Sequence, residues 1–398
     1  MKEKEILKED VKEEVKEEVK PKKRGRPKKD KSLNDYYSAD KILEEGSTYN
    51  VIIGQRSNGK TFDCVSRALE FFIKEGFPSV YIRRYDESIT SANIFKLCGA
   101  HIKDLEIMSD GEYNNFDYKN RTFYCTYVDP SNGKVTKRSE PFLYCVGLNS
   151  WEHKKGQDRG FVKYVIFDEF LTRDTYLNDE YAKFMNLLSS VIRDRTGTII
   201  FMLGNTVNKF CPYFQKFNID MKDIKQGYIY NFKYGETTLS LEYCREYGNT
   251  SKVNKTYFDF PEKSLDMIKK GYWEIDSYPH LYSHKRDYSR QLGYLYIHFG
   301  NIVLRWELLI DETNNVYSFI SPSDFDKALE SKRIFITNDS LTLLDNKMCF
   351  GEFPKNKLTD YLLKTWKIGK MFFATDDVGD VFENFMKMNL MSNGLKSF

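Results

Sequence analysis

Metal-ligand clusters, disulfide patterns and membrane spans are all missing from this sequence. Histidine is scarce, with 5 in 398 residues, and the 7 cysteines are scattered at 64, 98, 125, 145, 211, 244 and 349. None forms a C-x-x-C pair, so no zinc-ligand spacing is present. An odd, dispersed set of thiols fits buried side chains in a reducing compartment rather than a secreted disulfide scaffold. No apolar run approaches the ~20 residues that cross a bilayer. The opening residues, Met1-Lys2-Glu3-Lys4-Glu5, are charged, unlike a secretory leader. The net charge of +3 names no partner by itself. What the chain does have is aromatic residues, at 16%, beside 30% charged residues. A chain so rich in aromatics folds over most of its length, and the length predicts two or three domains.

The first 35 residues differ from the rest. Residues 1–20 hold six Lys and eight Asp or Glu, and Val11, Val15 and Val19 offer one thin apolar stripe, too little to hold a helix alone. Residues 21–31, PKKRGRPKKDK, then carry seven basic residues against one acid. The core Arg24-Gly25-Arg26-Pro27 resembles an AT-hook. Gly and Pro keep the strip narrow and extended, and Arg24 and Arg26 suit an A·T-rich minor groove. The plainer reading is a basic tail attracted to any phosphate backbone.

A short β-branched run, Tyr49 to Ile53, leads into Gly54-Gln55-Arg56-Ser57-Asn58-Gly59-Lys60-Thr61. This is a full G-x-x-x-x-G-K-[ST] phosphate loop with its required context. A strand precedes it, and a helical pattern of Phe62, Val65, Leu69, Phe72 and Ile73 follows, ending at Gly76. Backbone N–H groups and the helix N-terminus favour phosphates, Lys60 reaches the β/γ-phosphates of ATP, and Thr61 holds Mg²⁺. A second apolar strand, Lys163 to Phe167, ends in Asp168-Glu169. Asp168 suits the Mg²⁺ shell and Glu169 suits polarising an attacking water. A third, Thr198 to Leu203, ends near Asn205, a candidate γ-phosphate sensor or an ordinary turn residue. Arg56, Arg83-Arg84 and Arg193 with Arg195 are candidates to neutralise transition-state charge.

Taken together these residues resemble the DNA-packaging (encapsidation) ATPases of small short-tailed phages, the phi29-like group. The resemblance rests on Arg56 inside the loop, Tyr81-Ile82-Arg83-Arg84-Tyr85, Ile166-Phe167-Asp168-Glu169-Phe170, Leu187-Leu188 running to Arg193-Asp194-Arg195, and Asn205 before Pro212-Tyr213-Phe214. It spans residues 47–215. It implies an α/β fold: a P-loop NTPase parallel sheet of the additional-strand, catalytic-glutamate class, followed by a C-terminal α/β domain of ribonuclease H-like type. It implies a homo-oligomeric ring, a pentamer in the family, on a phage portal and prohead in the host cytoplasm, with a packaging RNA as a further partner and no membrane. Its cargo would be double-stranded DNA. On that reading Arg193 is the finger offered to a neighbour, Arg195 is second, Arg56 acts in cis, and Arg83 or Arg84 couples Glu169 to DNA. Lys154 and Lys155, in the loop before the acidic strand, are DNA-gripping candidates. So are Lys134, Lys137 and Arg138 on a hairpin with an Asn132-Gly133 turn. Two other readings stay open at this point: a different nucleic-acid ATPase such as a helicase or replication factor, and a non-catalytic AT-hook protein.

The expected domains are a charged tail at 1–35, the ATPase at 36–220, a linker subdomain at 221–265 and the C-terminal domain at 266–398. In the last, residues 292–320 alternate as a three-strand meander, and Asp311, Glu312, Asp376 and Asp377 are the carboxylates a two-metal nuclease would need. A docking or DNA-gripping role without cleavage is preferred, because Asp311 and Glu312 fall in a turn.

Overall fold

The computed structural model describes residues 36–154, 159–173, 176–247, 272–273, 276–281, 286–337, 348–350 and 353–392. The tail candidates Arg24 and Arg26 lie outside the described residues, as does Lys155.

The first half is built on strands, of which those at 49–54, 79–83, 164–168 and 199–205 are buried along nearly their whole length, as parallel strands covered on both sides require. In chain order they are β1 (Tyr49–Gly54), β2 (Ser79–Arg83), β3 (Asn115–Lys119), β4 (Thr122–Val128), β5 (Val135–Gly147), β6 (Tyr164–Asp168), β7 (Ile199–Asn205), β8 (Tyr228–Tyr234) and β9 (Thr237–Tyr243). They form one sheet in the order β3-β4-β5-β2-β6-β7-β1-β9-β8. The segment β5-β2-β6-β7-β1-β9 is parallel throughout. β7 lies between the phosphate-loop strand β1 and the acid-bearing strand β6, which is the additional strand expected from sequence. The register Gly54↔Asn205 and Asp168↔Leu203 brings the phosphate loop, the acids and Asn205 to one edge.

The helices of this half are α1 (Asp40–Glu44), α2 (Lys60–Glu75), α3 (Ser91–Gly99), α4 (Ile102–Met108), α5 (Glu180–Ile192) and α6 (Pro212–Lys216). Cys64, Val65, Ala68, Leu69 and Phe72 bury one face of α2, and Gly76 closes it in the left-handed region at φ 75°. Phe62, assigned from its spacing to that buried face, instead stands 47% exposed. It sits in the first turn, where the helix faces the cleft rather than the sheet. α5 buries Phe184, Leu187, Leu188 and Val191 against the other side of the sheet.

Residues 228–243, read from sequence as part of a linker subdomain, belong to this sheet. β8 and β9 form an antiparallel hairpin, and β9 pairs in parallel with β1. Leu239, Leu241 and Tyr243 are buried, and their period of two is the signal that was available. The segment around Trp151 also differs from the expected loop: Leu148–Lys154 is a 3-10 turn anchored by Trp151, which is buried.

The second half carries β10 (Arg290–Phe299), β11 (Ile302–Ile310), β12 (Val316–Ser323), β13 (Phe335–Thr337), β14 (Met348–Phe350) and β15 (Met371–Phe373), with α7 (Phe325–Glu330), α8 (Lys357–Lys367) and α9 (Asp376–Ser392). The sheet runs β14-β13-β10-β11-β12-β15, an antiparallel meander flanked by parallel strands. Trp306, Phe299, Phe382 and Phe385 centre its core. The short strands β14 and β15 were not foreseen, since three residues are too few to show a period. Asp311 is held within its own turn by Thr313 and Asn315, Asp376 pairs with His280, and Asp377 pairs with Lys209. Among the described residues no group of three or more His, Cys, Asp or Glu is placed to hold a metal ion.

The connection after β7 meets α9. Lys209 pairs with Asp377 at 3.0 Å, the Asn208 amide donates to Asn384, and Phe210 packs on the second core. Asp380 lies buried beside them. Burial, with Asp276 and Asp377 adding repulsion against the pull of Lys209, raises its carboxyl to about 6. A carboxyl whose folded-state value is raised contributes stability that is full at low pH and is lost as pH rises through about 6. Asp380→Asn is therefore expected to raise stability at pH 8, on the order of 1–3 kcal/mol, with the gain shrinking as pH falls towards 5. Denaturation midpoints at both pH values check this.

Candidate nucleotide site

The phosphate loop leaves β1 and turns into α2 with two residues in the left-handed region, Ser57 at φ 57° and Gly59 at φ 96°. Gly59 is the N-cap of α2, so the free N–H groups of the first turn face the cleft. Gln55 and Asn58 are buried, and Tyr37 N–H donates to the Asn58 carbonyl at 2.8 Å, tying the loop to the preceding segment. Lys60 is folded back onto the loop. Its ammonium donates to the carbonyl of Gln55 at 2.7 Å, to Asn58 Oδ1 at 3.0 Å and to Asn205 Oδ1 at 3.4 Å. Burial pushes this ammonium below its ordinary value, and Cys244 and Asp168 oppose the shift. A polyanion in the loop would replace these neutral acceptors with charged ones.

Asp168 ends β6 at the centre of the site. Thr61 Oγ1 donates to it at 3.2 Å and Tyr81 O–H at 2.6 Å, and Arg83 Nη1 lies 3.6 Å away. Burial, with the Asp168 charge adding to it, holds the Tyr81 phenol well above its ordinary value, so it remains a donor. A threonine hydroxyl beside a carboxylate is the hard oxygen donor set that suits Mg²⁺, which keeps most of its shell for water and phosphate. Glu169 takes the left-handed region at φ 57°, and its half-exposed carboxylate is paired with Arg83.

These residues line one cleft of about 700 Å³ that includes Arg56, Ser57, Lys60, Thr61, Asp168, Glu169 and Asn205. Phe62, Thr172 and Arg173 line it too, and sequence reasoning did not select them. For Arg173 a signal existed, four residues past Glu169, but a lone surface arginine has no distinguishing spacing. Arg193 and Arg195 do not line this cleft. Arg193 is exposed at the C-terminus of α5, with a positive φ of 53°. Arg84 is not at the cleft surface either: it is buried and bonded to Glu180.

The hairpin of Lys134, Lys137 and Arg138 forms as expected between β4 and β5, with Gly133 at φ 69° in its turn. Lys137 pairs with Glu112 and Arg138 with Asp117, while Lys134 is exposed at the tip. The side chain of Lys154 lies outside the described residues.

The sequence profile of the podovirus DNA encapsidation protein (Gp16) family matches residues 29–390. The DNA packaging protein of Bacillus phage PZA is 24% identical over 371 residues, covering 91% of this chain and 99% of that protein. That of Bacillus phage phi29 is 27% identical over 248 residues, 60% of this chain and 66% of its own length. The solved structure of the Phi-28 gp11 DNA packaging motor aligns with a TM-score of 0.52 at 16% identity, over 92% of this chain and 99% of that one. That last likeness concerns the fold, whereas the profile spans both sheets and the cleft between β1, β6 and β7. The chain belongs to the podovirus DNA encapsidation protein (Gp16) family.

Proposed function

We propose that this chain is the ATP-hydrolysing motor that drives double-stranded DNA into a phage prohead. The observation that supports it most is the meeting of Lys60, Thr61, Asp168, Glu169 and Asn205 at one cleft, in a chain of the encapsidation family. Gly54 to Thr61 cradle the phosphates of ATP, and Lys60 exchanges the Gln55 and Asn58 oxygens for phosphate oxygens. Thr61 and Asp168 would hold Mg²⁺, which would neutralise charge developing on the β- and γ-phosphates. Glu169 activates water once its carboxylate leaves Arg83, and Arg83 in turn links that carboxylate to DNA-contacting loops. Asn205, bonded to Lys60, reports the γ-phosphate, and Arg56 acts within the same subunit.

The subunits form a homo-oligomeric ring, a pentamer on this reading, seated on the portal with a packaging RNA, in the host cytoplasm. Arg193 completes the neighbour's site. Lys134, Lys137, Arg138, Lys154 and Lys155 contact the phosphate backbone, which demands no base sequence. Arg24 and Arg26 add minor-groove contacts from the tail. Among the described residues no helix is long and apolar enough to cross a membrane.

Steady-state ATP hydrolysis with and without duplex DNA tests this reading. Hydrolysis that rises with duplex is the expected result, with a steep fall in DNA affinity as salt increases. Hydrolysis indifferent to duplex DNA, in the presence of assembled portal, would overturn it.

A further inference from the structure

We propose that Arg84 and Glu180 are positioning residues that fix the main chain of Glu169 and Phe170, so that Glu169 changes state by side-chain rotation alone. This rests on the reading of Glu169 as the group that activates water.

Neither Arg84 nor Glu180 lines the cleft. The Arg84 guanidinium instead serves the turn after β6. Nη1 donates to the Glu169 carbonyl at 3.2 Å, and Nη2 donates to the Phe170 carbonyl at 2.7 Å. Glu180, the first residue of α5, grips the same guanidinium through Nε at 2.7 Å and Nη2 at 3.0 Å. The carboxylate is itself fixed by the Leu177 N–H at 2.9 Å and the Tyr213 hydroxyl at 3.0 Å, and the Tyr176 ring covers Arg84 at 4.9 Å. Arg84 is 7% and Glu180 2% exposed.

A buried ion pair contributes little net stability over an apolar core, so its best use is to specify one geometry. That geometry holds a non-glycine residue, Glu169, in the left-handed region. The turn is also closed from the other side. Phe170 N–H donates to the Leu203 carbonyl at 3.2 Å, and a Cβ on Gly204 would meet Leu171 and Phe170 within 2.9 Å. Arg83 takes the carboxylate of Glu169 and Arg84 takes its carbonyl. Adjacent arginines thus divide the work, one holding a side chain that can move and the other a backbone that does not. The pair also ties this turn to the start of α5, whose far end bears Arg193.

The test uses the full chain, with three readouts: kcat, nucleotide affinity and amide exchange. Arg84→Lys keeps the charge but loses the fork. In a folded Arg84→Lys protein, kcat is expected to fall about 10- to 100-fold, the cost of a displaced catalytic group, with the affinity for a fluorescent ATP analogue within about threefold. Amide exchange at Phe170 is expected to accelerate independently of any hydrolysis. Where Arg84→Lys does not fold, Tyr213→Phe removes only a hydroxyl and is expected to show the same changes at about a tenth of the size. Unchanged Phe170 exchange overturns the proposal even in a protein that never hydrolyses ATP, which separates it from failure of the motor reading. Equal losses of kcat and nucleotide affinity would also overturn it, by marking the pair as merely structural.

Discussion

Glu169→Gln is expected to lower kcat for ATP hydrolysis by about 10²–10⁴-fold, the range for removing a general base, with nucleotide affinity within about threefold. The asymmetry follows from what the side chain touches. Glu169 lines the cleft, but its carboxylate is bonded to Arg83 and not to Lys60, Thr61 or the backbone N–H groups of the loop, which form the phosphate cradle. Its carboxylate partner is Arg83, and an amide oxygen still accepts from a guanidinium, so the substitution removes basicity and little else. Lys60→Ala should behave differently, since Lys60 bridges the loop carbonyls, Asn58 and Asn205, and its loss should weaken binding and kcat together. Phosphate release and equilibrium binding of a fluorescent analogue separate the two patterns. A Gln variant that retains more than a tenth of wild-type kcat would remove Glu169 from the reaction.

The parts of this site legible in sequence were those fixed by local covalent order. The phosphate loop, the Asp168-Glu169 pair and Asn205 each follow an apolar strand, and strand ends in a parallel sheet share one edge. The strand at 199–205 was legible as a continuous apolar run, its place as the additional strand following from the resemblance, and the central meander was legible from its long strands separated by turn residues. What was not legible depends on partners distant in the chain. Arg83 and Arg84 look equivalent as neighbours, yet β2 sends one to Glu169 and the other to Glu180, 96 residues away. The positive φ at Ser57, Glu169 and Arg193 has no compositional mark, since none is glycine. Strain of this kind, about 1–3 kcal/mol each, is held by surrounding structure and not by the residue itself. Phe62 failed for a related reason: helical spacing placed it on the buried face, but the first turn of α2 projects past the sheet into the cleft.

Arg193→Ala is expected to lower kcat by about 10³–10⁵-fold, the contribution of an arginine finger, and to recover in part when mixed with Glu169→Gln. The placement of Arg193 motivates both halves. Phe184, Leu187, Leu188 and Val191 pin α5 into the core, so the position of its C-terminus is set by burial. Arg193 then leaves the helix at a positive φ of 53°, with its N–H still bonded to the Ser189 carbonyl at 3.0 Å, and stands exposed outside its own cleft. Standing outside its own cleft, Arg193 is placed, on the proposed reading, to neutralise phosphate in the next subunit of a head-to-tail ring. In an equimolar mixture, about a quarter of such heterologous interfaces would combine an intact Glu169 with an intact Arg193. Those interfaces would be expected to hydrolyse ATP well above the residual rate of either variant alone. Arg195, less exposed and two residues on, should tolerate alanine better. If mixing restores nothing while Arg193→Ala still binds nucleotide, the arginine acts within its own subunit and the ring geometry must be redrawn around Arg173, which already lines the cleft.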